Sequence, residues 1–187
     1  MKRIINAHGW VCIQLNEQHE NAAMKFRIKR DAVYGNIFSE RTSDARWVGD
    51  LGEWVFNSFL RSCGLTDAVW LRDGKASGEP DFKIGNLAIG VKTVKRKVAP
   101  QKDYTAQITA RHANEPVTHF FFLTYDIVNK RMWLIGGIDK PRFLNFSQYF
   151  SAGDKVHDNY VIRPNHEIYN IGLQFICPPL NFIGVSQ

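Results

Sequence analysis

The chain has 187 residues, of which 44% are hydrophobic and 22% charged; this is room for one ordinary domain and too apolar for a disordered tail. Lysine and arginine outnumber aspartate and glutamate 24 to 18, a formal charge of +6, so a polyanionic partner is physically reasonable, though charge alone proves none. Cys12, Cys63 and Cys177 are odd in number, far apart and lack C-x-x-C spacing, so neither a structural zinc site nor a disulfide framework is suggested and reduced thiols in a cytosol fit best.

Lys2 and Arg3 lead into Asn6, His8 and Gly9 rather than an apolar run, so no signal peptide is expected, and no stretch reaches the ~18 apolar residues of a membrane span. Residues 10–15 read as a strand. Residues 24–29 alternate strictly, with Lys25, Arg27 and Lys29 on one face and Phe26 and Ile28 on the other, and read as a second strand whose basic face is either solvated or set against phosphates. Together they predict an N-terminal β extension over 1–38, added to a core at 44–138 in a single domain of 1–187.

Trp47, Val48, Leu51, Trp54, Val55 and Phe59 recur at helical spacing after Ser43 and Asp44, either of which can cap, and before Gly64. A second stripe, Gly49, Glu53, Phe56 and Leu60, sets Glu53 at a buried boundary, while Asp50 is expected at the helix surface. Gly49 and Gly52 each weaken a helix by about 1 kcal/mol relative to alanine, a cost that marks close approach to another element, here a sheet.

Strands follow at 68–72, 79–84 and 87–95. Gly85-Asn86 suits a two-residue hairpin turn. If Ile84 faces Leu87, Asp81 lies opposite Gly90 and Glu79 opposite Lys92, all on one face. A helix is expected at 103–113, then strands at 118–128 and 131–138 joined through Asn129-Lys130, a short helix near Asp139 with Pro141 in its first turn, a polar loop at 151–159, and an irregular C-terminus apart from 160–163. The fold class is α/β, a central mixed sheet flanked by helices.

Glu53, Glu79 and Asp81 are hard oxygen donors suited to Mg²⁺ or Mn²⁺, which lower the pKa of bound water and neutralise a phosphoryl oxygen. Lys92 among Ala88, Gly90 and Val94 needs a carboxylate or phosphate partner and can stabilise a phosphoryl transition state; a structural Asp81–Lys92 ion pair is the plainer reading. Glu53 on a helix, Pro80-Asp81 on a strand and Gly90-Val91-Lys92-Thr93 on the next resemble the PD-(D/E)xK nuclease superfamily, whose restriction-endonuclease-like core is a mixed sheet flanked by helices and whose members mostly cut DNA with Mg²⁺.

The resemblance implies Asp81 as a metal ligand, Glu53 as a ligand from the helix, the Val91 carbonyl as another, and Lys92 as the catalytic lysine. Gln107 matches a glutamine on the following helix of some members, whereas Arg111 stands where a tyrosine is expected. The acidic residue of the (D/E)xK element is absent, since Gly90 occupies its place. Glu79, two residues from Asp81, is the nominated replacement, with a solvated strand residue as its other reading.

Lys95, Arg96, Lys97 and Lys102 are either solvated or hold a nucleic-acid backbone. The six histidines have no metal-binding spacing, and the aromatic residues are core, with Trp70 and Tyr104 near the expected cleft. The function implied is Mg²⁺-dependent hydrolysis of DNA in a cytoplasm, including a host cytoplasm for a phage protein; RNA and a second copy of the chain stay open as partners. The alternative is a nuclease-like protein that binds nucleic acid or a partner protein without cutting.

Overall fold

Charge rather than an apolar stripe docks the first helix. In the computed structural model, which describes residues 3–35, 45–71, 79–157 and 160–184, β1 (Arg3–Ile5) pairs antiparallel with β2 (Val11–Gln14), and the chain then enters α1 (Glu17–Tyr34). Residues 24–29 are therefore helical, and among the described residues of the expected β extension only β1 and β2 are strand; 36–38 lie outside the described residues. Asn16 accepts from the His19 amide while the His19 ring accepts from the Asn16 amide, a reciprocal cap. Glu20 and Ala23 are the buried members of α1; the rest is anchored by ion pairs described below.

The second helix, α2 (Trp47–Ser62), buries Val48, Leu51, Val55, Phe56, Phe59 and Leu60. Arg46 precedes it without a side-chain cap, and Ser43 and Asp44 lie outside the described residues. Close approach to the sheet is real at Gly52, where a Cβ would fall 1.9 Å from Oγ1 of Thr93, but not at Gly49, which has no described neighbour within 4 Å.

Next come β3 (Val69–Trp70), β4 (Phe82–Ile84) and β5 (Leu87–Arg96). The first two are shorter than expected, and Arg72 lies outside the described residues. Gly85 takes a positive φ of 52° in the tight turn, and the register is the expected one: Ile84 faces Leu87 and Phe82 faces Ile89. The Asp81 amide also donates to the Ile89 carbonyl, so Asp81 shares Ile89 with Phe82, as in a β-bulge, instead of facing Gly90 as expected, and pairing ends there.

The segment 103–113 is not an α-helix. Its alternating Thr105, Ala106, Gln107, Ile108 and Thr109 form β6 (Thr105–Thr109), followed by a 3₁₀ turn at Ala110–Asn114; Ala106 and Ile108 point into a core. Then β7 (His119–Asp126) runs parallel to β5 and antiparallel to β8 (Arg131–Asp139). Asp139 caps α3 (Lys140–Phe146) by accepting from the Arg142 amide, with Pro141 in the first turn as expected. After β9 (Gln148–Phe150), the presumed polar loop contains β10 (Lys155–His157), paired with β11 (Tyr160–Val161). The C-terminus is also more regular than expected, with β12 (Ile168–Gly172) and α4 (Pro179–Phe182).

The result is α/β in three layers. A mixed sheet of seven strands, in the order β1-β2-β8-β7-β5-β4-β3, has α1 and α2 on one face; a three-stranded sheet, β6-β12-β9, lies on the other. Side chains of β7 alternate between these cores: Phe121, Leu123 and Tyr125 join the helices, Phe120 and Phe122 the small sheet. Among the described residues no helix is long and apolar enough to cross a membrane.

Candidate functional site

A strand that outruns its neighbour leaves backbone groups exposed at its edge. Beyond Ile89, β5 keeps β7 on one side but has lost β4 on the other. Asp81, at the point where β4 ends, fills the first gap, its Oδ2 accepting from the Val91 amide at 2.6 Å. Because the N–H and C=O of one residue in a strand point to the same side, the Val91 carbonyl faces this edge too.

Glu53 approaches from α2. Its Oε2 accepts from the Trp70 indole at 3.2 Å, and its Oε1 lies 3.6 Å from Nη1 of Arg30. Burial, with the charge of Asp81 next in weight, pushes the Glu53 carboxyl up to about 8. Asp81 is pushed up to about 6, by burial first and by the charge of Glu115 against the opposing pull of Lys92. Two carboxyl groups from separate elements are thus held with too little positive charge to keep both ionised at neutral pH.

Positive charge flanks the pair. Lys92 leaves β5 on the face away from α2, its Nζ 2.8 Å from Oε2 of Glu115 and 6.0 Å from the ring centre of Phe120. His112, in the 3₁₀ turn, lies 3.6 Å from the other oxygen of Glu115; burial and then the Lys92 ammonium nevertheless push it down to about 3, so its ring is neutral. On the helical side Arg30 links Glu53 to Asp50, contacting Oδ1 at 2.9 Å, and Arg27 grips both Asp50 oxygens at 2.6 and 2.8 Å. Asp50 is therefore not a surface residue: 2% exposed, it is the anchor that holds α1 to α2. Asp50 and Trp70 also line a cavity of about 330 Å³ with His19, Phe26, Leu51 and Trp54, so this flank of the cluster borders open space.

The structure thus gathers Glu53, Asp81, Lys92 and the Val91 edge. It does not gather Glu79, which is exposed beyond the bulge and takes no hydrogen bond or ion pair from a described residue; the register that would have set it across from Lys92 ends at Phe82. Gln107 sits on strand β6 opposite Asn170, not on a helix. Lys95, Lys97 and Lys102 are exposed, while Arg96 lies 4.7 Å over the Tyr104 ring and donates to the Thr105 carbonyl.

Sequence reading missed Glu115, Arg30 and His112. Arg30 was concealed by taking its helix for a strand; Glu115 and His112 lie in a segment whose true form, strand then 3₁₀ turn, left only the alternation of residues 105–109 as a signal. Among the described residues no three carboxylate, imidazole or thiolate side chains meet closely enough to hold a metal ion as they stand. No protein-family model and no curated protein matches the chain.

Proposed function

We propose that the chain hydrolyses phosphodiester bonds of DNA with a divalent cation, Mg²⁺ or Mn²⁺, in the manner of PD-(D/E)xK nucleases. The observation that carries this reading is the meeting of the Glu53 and Asp81 carboxyl groups at the open edge of β5, where burial raises both, helped at Glu53 by the charge of Asp81 and at Asp81 by that of Glu115. Two carboxylates and a strand carbonyl suit Mg²⁺, which takes one or two protein carboxylates, several waters and the phosphate of its substrate. The order helix, antiparallel hairpin, then a strand parallel to β5 supports a restriction-endonuclease-like core. The strand and 3₁₀ turn between β5 and β7 depart from the helix of that core.

Glu53, Asp81 and the Val91 carbonyl would hold the cation, which supplies Lewis acidity and a more acidic water. Lys92 stabilises negative charge building on the phosphoryl oxygens. As the water oxygen bonds to phosphorus and gives up one proton to solvent, the bond to the leaving sugar oxygen breaks, and that oxygen recovers a proton from solvent. Exposed Lys95, Lys97 and Lys102 would contact phosphates of the substrate.

Incubation of the full chain with plasmid and linear DNA in Mg²⁺ or Mn²⁺ tests this. Cutting is expected, and Lys92→Ala should abolish it while leaving the thermal transition in place; uncut DNA at millimolar cation overturns the reading. The second reading, a nucleic-acid-binding protein without activity, is favoured by one observation, the engagement of Lys92 by Glu115 at 2.8 Å. It predicts a shift of DNA in a gel with no products.

A further inference from the structure

Gly90 leaves the resemblance one carboxylate short, and the structure shows where a side chain at that position would go. A Cβ on Gly90 would lie 3.5 Å from Cε of Lys92 and 3.4 Å from Cγ1 of Val117 and Cδ1 of Phe120. The side chain would therefore enter the space along the Lys92 stem, on the face of β5 away from α2. Glu115, at the end of the connection from β5 to β7, reaches the same lysine. It stands two residues before Val117, and its Oε2 is 2.8 Å from Lys92 Nζ.

Its backbone is held on both sides. The Glu115 amide donates to the His112 carbonyl at 3.2 Å, and Lys140 Nζ donates to the Glu115 carbonyl at 2.7 Å. Pro116 follows and fixes the exit of the chain. The side chain is 11% exposed, so its direction is set by packing as well as by charge.

We propose that Glu115, and not Glu79, supplies the carboxylate that Gly90 cannot, as a ligand of the divalent cation at this site; the inference rests on the metal-dependent nuclease reading above. Oε2 belongs to Lys92, leaving Oε1, 3.6 Å from the neutral His112 ring, as the oxygen for the cation. The acidic function of the (D/E)xK element has in this way moved from β5 to the turn that precedes β7, with Lys92 kept as its neighbour.

Calorimetric titration of the full chain with Mn²⁺ alone, without DNA, tests the assignment in wild type and in Asp81→Asn, Glu115→Gln, Glu79→Gln and the double variant Gly90→Glu/Glu115→Gln. Loss of the ligand should weaken Mn²⁺ binding by about tenfold or more in Glu115→Gln. Glu79→Gln should bind as wild type, and the double variant should regain most of the loss. Wild-type affinity in Glu115→Gln beside lost affinity in Asp81→Asn overturns this inference and leaves the nuclease reading standing. No Mn²⁺ binding by wild type at millimolar concentration overturns both. Thermal melts check folding, and if the double variant has no transition, the contrast between Glu115→Gln and Glu79→Gln decides alone.

Discussion

Gly52→Ala measures how tightly α2 is pressed on the sheet that carries Lys92. The new methyl group would meet Thr93 Oγ1 at 1.9 Å, Cγ2 at 3.2 Å and Cβ at 3.0 Å. Rotating Thr93 can withdraw Oγ1, but its Cβ is fixed by the backbone of β5, so α2 must shift. Over-packing of this kind costs about 1–3 kcal/mol, offset by about 1 kcal/mol of helix propensity gained. Gly49→Ala, three residues earlier with no described neighbour within 4 Å, takes the propensity gain alone. The two variants should therefore differ by about 2 kcal/mol in urea unfolding at unchanged m-value. Gly52→Ala/Thr93→Ala should recover part of the loss, since it removes two of the three clashing atoms. Equal stability of Gly52→Ala and Gly49→Ala would refute the reasoning. Because Glu53 follows Gly52, displacement of α2 should also weaken Mn²⁺ binding in the surviving folded protein.

The other expectations concern charge. Asp50→Asn leaves Arg27 and Arg30 without their shared carboxylate; with both arginines partly exposed the loss should be about 2–3 kcal/mol in urea unfolding, below the range for fully buried pairs. Stability of the metal-free protein should vary with pH in two opposite senses. His112 has its pKa depressed to about 3 from 6.5, so its contribution is present above 6.5 and lost as pH falls toward 3, and His112→Gln should flatten that limb. Glu53 has its pKa raised to about 8 from 4.5, so its ionisation costs stability as pH rises toward 8, and Glu53→Gln should stabilise the protein there more than at pH 5. Denaturation midpoints across pH 4–9 check both signs.

What could be read in advance depended on which force holds each element. The α2 stripe was legible because Leu51, Val55, Phe56 and Phe59 bind by burial, and burial writes a 3.6-residue period into the sequence. The β4–β5 hairpin was legible because Gly85 allows a turn that imposes one register. In α1 the anchors are Arg27 and Arg30 on Asp50, Asp31 with Arg46, and Glu20 with Tyr125 and Lys130. Ion pairs impose no apolar period, and Lys25 to Lys29 therefore imitated a strand. Its real signal was the start: Asn16 before Glu17 and Glu20. Asp50 was misplaced for the same reason, since its partners were hidden on the misread segment.

The site divides along the same line. Glu53 sits on the helix stripe and Lys92 on the hairpin strand that local rules predict, whereas Asp81 lies at a bulge opposite Ile89 and not opposite Gly90 as the extended register has it. Glu79 was nominated by extending that register three residues beyond its end at Phe82, past the bulge at Asp81. Glu115 could not be found this way, because its proximity to Lys92 depends on the parallel pairing of β5 with β7 at a sequence separation of 23. A parallel partner needs a crossover, and no turn residue records where it will return. On the proposed reading, the carboxylate missing at Gly90 comes instead from the end of the crossover that returns beside β5. That is where a carboxylate meets the same lysine without a change in the hairpin, and where Glu115 stands.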